Sequence, residues 1–274
     1  MNEHDNSEAI GEVISADVRG ESKSAMKPLY VRRNTFDVEL DQPIYRITPL
    51  DYLMQDLQQG WFTHSRVSPK VWGDANENPL LSRIFRDQVS GGPLRLTPLV
   101  EHMFGSCWSL APLDGRYDWA MFCRGKPGVR IESTPRRLLS AAMDDANPYY
   151  ELRHAIGKVS YLTVDQLVAT FGREEPWEFL DSLGHGILLS LMRLGDGVKG
   201  EEEVRLVCDF VSSDSWMQQN MIVEGELLRV PFEWADVIRT AVIGPNVPPD
   251  KRDAVRADIR KFGISDDAIT ESTA

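Results

Sequence analysis

The chain has 274 residues, 42% of them hydrophobic, with 42 acidic and 30 basic residues and a formal net charge of −12. This length and composition supply a sizeable core, and the acidic balance argues against binding along a nucleic-acid backbone. Three cysteines (Cys107, Cys123 and Cys208) with no CxxC pair argue against a disulfide framework or zinc site, and no apolar run approaches the roughly 18 residues of a membrane span, so a cytoplasmic setting is expected.

Residues 1–40 mix acidic, amide, serine and lysine residues with scattered apolar ones, which predicts a disordered or loosely docked arm. Val13-Ile14 and Leu29-Tyr30-Val31 are the places where it can dock. Residues 41–264 are expected to form one α+β domain, and 265–274 a flexible tail. Pro43–Ile47 reads as a strand, after which Thr48 as N-cap and Pro49 at the first helical position start a helix that Gly60 ends. Trp61–Thr63 is a second strand, Pro69–Pro79 a loop, and residues 80–89 a helix with Leu80, Leu81, Ile84 and Phe85 as its stripe.

Strands are predicted over Phe104–Leu110 and Gly128–Glu132. Thr134-Pro135 starts a helix through Met143. Ile156–Leu162 follows as a strand, and Thr163 and Gln166 form a capping box for a helix ending near Gly172. Residues 176–194 carry a long helical pattern interrupted by Gly184 and Gly186. The run Gly200–Cys208 is a strand, residues 221–230 a hairpin, Val237–Ile243 a last strand, and Pro248–Phe262 an amphipathic helix.

The common Gly-rich nucleotide loops, the GxSxG elbow and HExxH are absent from the sequence. His185 between two glycines reads as packed, and His102 and His154 have no partners at ligand spacing, so no metal is expected. Two clusters carry candidate chemistry. Arg124, Lys126, Arg130, Arg136 and Arg137 face a single acid, Glu132, and can receive a phosphate or form surface ion pairs. In Glu201-Glu202-Glu203-Val204-Arg205, alternate residues share a strand face, so Glu201, Glu203 and Arg205 form either a salt-bridged strip or part of a site.

Four stretches, in order, resemble the bacterial family named domain of unknown function 2971: Ile44–Ile47 with its capped helix; Ser106–Ser109 with Trp119–Phe122 and Gly128–Ile131; Glu201–Leu206; and Val242–Pro245. Where that family has a His-Tyr pair after the tryptophan, this chain has Met121-Phe122, and neither side chain transfers a proton. The order of an arginine strand, a serine strand and a Glu-x-Glu strand is also similar to the arginine-serine-glutamate class of ADP-ribosyltransferases. That resemblance implies a central mixed or antiparallel split sheet with flanking helices, NAD as substrate, and ADP-ribosyl transfer or NAD hydrolysis in a toxin or phage-defence context.

Carried onto this sequence, the class places Arg46, with Tyr45, on the NAD diphosphate and Ser106 and Ser109 at the ribose. Trp119 and Arg130 border the cofactor, and Glu203 is the catalytic carboxylate with Glu201 beside it. Ser106-Cys107-Trp108-Ser109 departs from the class's Ser-Thr-Ser spacing. The implied partners are a small nucleotide and a protein acceptor. Such a site requires Arg46 and Glu203 to face one cleft. The alternative is a non-catalytic binding or regulatory domain in which the Arg/Glu strip is structural. An enzyme acting on nucleic acid through the basic cluster is a third reading, opposed by the acidic total.

Overall fold

In a computed structural model of the protein, residues 6–74, 76–147, 149–172, 176–181, 184–197 and 202–274 are described. The N-terminal segment forms two helices, α1 (Ser7–Val18) and α2 (Lys23–Arg33). The expected arm, disordered or loosely docked, is helical, and Val13, Leu29, Tyr30 and Val31, within the stretches named as docking points, pack on the core. Average composition hid an aligned stripe: Ala16, Met26, Tyr30 and Val31 are buried in the main core, and Lys23–Glu151 and Lys27–Asp145 ion pairs tether α2.

There follow β1 (Thr35–Phe36), β2 (Ile44–Pro49), α3 (Leu50–Gln59), β3 (Trp61–Arg66), α4 (Pro69–Trp72), β4 (Ile84–Arg86), β5 (Pro93–Arg95) and α5 (Thr97–Val100). Gly60, at φ +67, ends α3 as expected. Thr48, however, lies within β2, and the first N–H of α3 goes to the Pro127 carbonyl and not to a side-chain cap. The helix expected over 80–89 is a hairpin of β4 and β5. Leu80-Leu81 and Ile84-Phe85 fit either periodicity, and burial of Phe85 between exposed Ile84 and Arg86 selects the strand.

The chain continues through β6 (Met103–Ser109), α6 (Arg116–Cys123), β7 (Gly128–Ser133), α7 (Pro135–Ala142), β8 (His154–Lys158), β9 (Ser160–Leu162), α8 (Val164–Phe171), α9 (His185–Ser190) and β10 (Arg193–Gly195). Thr134 caps α7 and the Thr163–Gln166 box caps α8, both as predicted. The 176–194 helical pattern, interrupted in the sequence at Gly184 and Gly186, breaks at Gly184, whose φ of +73 favours glycine, and leaves only the short α9. The strand expected over 156–162 divides after Lys158, because β9 leaves the main sheet to pair with β10.

The last elements are β11 (Glu203–Asp209), α10 (Ser215–Asn220), β12 (Ile222–Glu224), β13 (Leu227–Pro231), β14 (Thr240–Ile243), α11 (Pro249–Arg260) and β15 (Ile269–Glu271). β15 adds parallel to β14, so the expected flexible tail is a sheet strand.

The main sheet runs β1-β8-β11-β6-β2-β7-β14-β15, with β3, β13 and β12 branching from β6. Most pairs are antiparallel, while β1/β8 and β14/β15 are parallel. The architecture is therefore α+β with a mixed, split sheet and flanking helices. The split lies at β6. One of its edges pairs with β11 over the whole strand, but the other is shared: β2 meets it at Ser109 and β3 at Gly105 and Phe104. Opposed residues share a face. Trp108, Val204 and Leu206 enter one core with α2, α3 and α7, whereas Met103, Val207 and Ala155 enter another with α5, α8 and α9.

Candidate functional site

Three of the sequence-predicted residues meet at one point of the sheet. Glu203 stands opposite Ser109, and Ser109 opposite Tyr45, so these three share a face with Cys107 and Arg205. Arg46, one position along β2, therefore lies on the opposite face, where its guanidinium sits 5.5 Å from the Phe62 ring centroid. Ser106, three residues before Ser109, also lies on that opposite face, and its hydroxyl accepts a bond from the Trp108 indole at 3.3 Å. The single cleft expected to join Arg46, Ser109, Trp119 and Glu203 is thus not assembled, because strand alternation sends Arg46 and Glu203 to opposite sides.

Glu203 belongs to a buried ion cluster. Arg205 donates to Glu203 at 2.6 and 3.2 Å, to both oxygens of Glu77 at 2.7 Å, and to the Leu191 carbonyl at 2.8 Å. These bonds engage every donor nitrogen of the guanidinium, and its face lies 4.6 Å from the Trp72 ring. Burial works against the Arg205 charge, but Glu203, Cys107 and Glu77 outweigh it and raise its pKa. Burial likewise keeps the Glu77 carboxyl above its usual range despite Arg205. The Cys107 thiol, hydrogen-bonded to Glu203, is pushed well up, chiefly by burial and then by the Glu203 charge. The cluster sets two carboxyl groups against one guanidinium.

Arg46 is different. It is half-buried, and among the described residues no hydrogen bond or ion pair engages it. Burial lowers its pKa, opposed by Cys107 and by Asp56. Asp56 is itself occupied by the Thr63 N–H at 3.1 Å and hydroxyl at 2.6 Å. Fully buried His64 lies close by, held far below the usual imidazole range by burial first and then by His154 and Arg46.

The other predicted residues hold structure. Arg130 lies 5.6 Å from the Tyr45 ring and donates to the Pro112 and Leu113 carbonyls. Trp119 is buried, donates to Asp114 at 3.0 Å and packs against Gly128 and Gly244. Both therefore secure the 112–114 turn beside Tyr45. Glu201 lies outside the described residues. The basic cluster disperses into surface pairs: Lys126 with Asp51, Arg136 with Asp41, and Arg137 with the Asp236 carbonyl. Met121 and Phe122 are partly exposed on α6.

Trp72, Glu77, Asp56 and His64 were not foreseen. Glu77 reaches Arg205 across 128 sequence positions, and no local pattern signals such a contact. Among the described residues no group of three or more His, Cys, Asp or Glu is placed to hold a metal, and no helix is long and apolar enough to cross a membrane.

No family model matches the chain, so the resemblance to domain of unknown function 2971 has no such match behind it, and no curated protein matches it. Among solved structures, Thermus sp. 2.9 DarT in complex with NAD+ is similar at a TM-score of 0.36 and 13% identity, over 86% of this chain and 96% of that one. The same protein in complex with carba-NAD+ gives 0.35 and 12%, over 85% and 96%. In complex with ADP-ribosylated ssDNA it gives 0.34 and 14%, over 85% and 98%. At such scores the likeness assigns this chain no function.

Proposed function

We propose that this chain is an ADP-ribosyltransferase-like protein that binds NAD where the sheet splits, with Arg46 taking a phosphate. The observation that carries this reading is Arg46 itself, a half-buried guanidinium with no hydrogen bond or ion pair among the described residues. Burial disfavours the Arg46 charge and nearby Asp56, bonded to Thr63, offsets it only by proximity, whereas a bidentate phosphate would bond the guanidinium directly. Ser109, Tyr45 and Glu203, on the other face of the sheet, stand outside this site. If transfer occurs, the bond from the ribose C1′ to the nicotinamide nitrogen breaks and nicotinamide leaves with the electron pair. Water or an acceptor then adds to C1′ and releases its proton to solvent.

A second reading, a binding module without turnover, is favoured by a specific observation: both Glu203 oxygens are engaged by Arg205, on the face opposite Arg46. Calorimetry with NAD tests the shared part. Arg46→Ala should weaken binding at least about tenfold, and absence of NAD binding to the folded parent removes both readings. Labelled-NAD turnover by the parent separates them. Turnover supports the transferase, and binding without turnover supports the module.

A further inference from the structure

We infer that the groove between α8 and the β4–β5 hairpin is a docking surface for an acidic amphipathic helix of a partner protein. The groove holds about 570 Å³ and is walled by Pro79, Ile84, Leu167, Val168 and Phe171. Leu167 and Phe171 belong to the core on the opposite side of the sheet from the one that holds Phe62 beside Arg46. The inference therefore stands apart from the NAD reading.

Both walls are already in place. The Phe85 ring of β4 and the Phe171 ring of α8 pack on the same Phe179 ring, at 5.8 and 5.7 Å. Arg83 donates to the Gly172 carbonyl at 2.7 Å, and both residues line the groove. The apolar surface also runs beyond the cavity. Val164 and Val168, one helical turn apart on α8, are 71% and 63% exposed, and Ile84 in the hairpin wall is 47% exposed. A stripe of this length fits the i, i+4 anchors of a helix better than a compact small ligand.

The charge beside the groove gives the sign of the partner. Register sets Ile84 opposite Arg95 and Arg86 opposite Pro93, so Ile84, Arg86 and Arg95 share the outward face of the hairpin. Among the described residues neither Arg86 nor Arg95 makes a side-chain hydrogen bond or ion pair. The one acid between them, Asp87, accepts from the N–H and hydroxyl of Ser90 within the hairpin loop. On α8 the one acid is Asp165, in the first turn, where it complements the helix dipole.

In a chain of net charge −12, two arginines without carboxylates beside exposed aliphatic side chains complement a helix with aliphatic anchors flanked by acids. Screening over about 8 Å at physiological salt lets these local charges outweigh the distant acidic surface. The ring in the groove, Phe171, is buried, so no ring face is offered to a stacking base. A symmetric second copy would bring the arginines toward their own equivalents.

The test uses the full chain and a synthetic peptide of about 15 residues, with leucines at i, i+4 spacing and glutamates elsewhere, read by fluorescence anisotropy. The same peptide with lysines for glutamates is the control. The acidic peptide should bind at least about tenfold tighter than the control and weaken as salt is raised. Val168→Asp and Arg95→Glu, both at exposed positions, should each weaken it at least about tenfold while melting like the parent. Should Val168→Asp melt below the parent, Ile84→Ser carries the same expectation. No binding of the acidic peptide, equal affinity for both peptides, or unchanged affinity in the variants overturns the inference. So does a dimer in sedimentation that Val168→Asp dissociates, which gives the face to a second copy. Binding of a single-stranded oligonucleotide that Arg95→Glu abolishes overturns it as well, in favour of a nucleic acid.

Discussion

Replacing Arg205 with methionine should be among the most damaging single changes in this protein. The guanidinium sits 1% exposed between Glu77 and Glu203, with every donor nitrogen bonded. Methionine fills much of the volume but leaves two buried carboxylates facing each other and the Leu191 carbonyl without its donor. Removing one partner of a buried pair typically costs about 3–5 kcal/mol, and the doubled negative charge puts this case near the upper end. That is a large part of a usual folding stability of about 5–15 kcal/mol.

The deficit should depend on pH. Burial already holds the Glu77 carboxyl above its usual range in the parent, and losing the Arg205 cation removes what opposes that rise. Raised carboxyl pKa values destabilise the folded state above them, and the effect fades as pH falls toward the unfolded value of about 4.3. Urea unfolding at pH 7 and at pH 5 should show the larger loss at pH 7. The triple replacement Glu77→Leu, Arg205→Met, Glu203→Leu should recover most of it, because apolar packing is a fair substitute for a buried ion cluster. A loss below about 1 kcal/mol at pH 7, or a triple variant no better than the single one, would refute this account of the cluster.

Burial lowers the His154 pKa to about 4, so the unfolded chain binds the extra proton between about pH 6.5 and 4. Stability is then lost as pH falls through that window, and His154→Phe should flatten the acid limb of a pH series of melts by up to about 1.4 kcal/mol per pH unit. Gly244→Ala places a methyl 2.6 Å from the Trp119 ring and 2.8 Å from the Gly128 carbonyl, and should cost about 1–3 kcal/mol in thermal melts. Thr134→Ala removes the cap bonded to the Arg137 N–H and should cost about 1 kcal/mol in urea unfolding.

Local signals read most of the fold. The caps at Thr134 and Thr163 and the strands around Ile44, Phe104 and Gly128 each depend on neighbours a few residues away, and all are observed. The failures share one cause. Where paired apolar residues fit two periods, as at Ile84-Phe85, or a strand leaves the sheet, as after Lys158, only packing selects the outcome. The helices of the arm were missed, although Leu29-Tyr30-Val31 was named as a docking point, because so few apolar residues do not shift average composition.

The sequence by itself determined the strands that carry Tyr45, Ser109 and Glu203, since apolar alternation and turn residues are local properties. It also determined that Glu203 and Arg205 share a face, which follows from the period of a strand. Long-range packing set that Arg46 turns away from Glu203, that Glu77 and Trp72 close over Arg205, and that among the described residues no carboxylate bonds Arg46. Register between strands and the path of a connection are set by long-range packing, and no run of neighbouring residues encodes them.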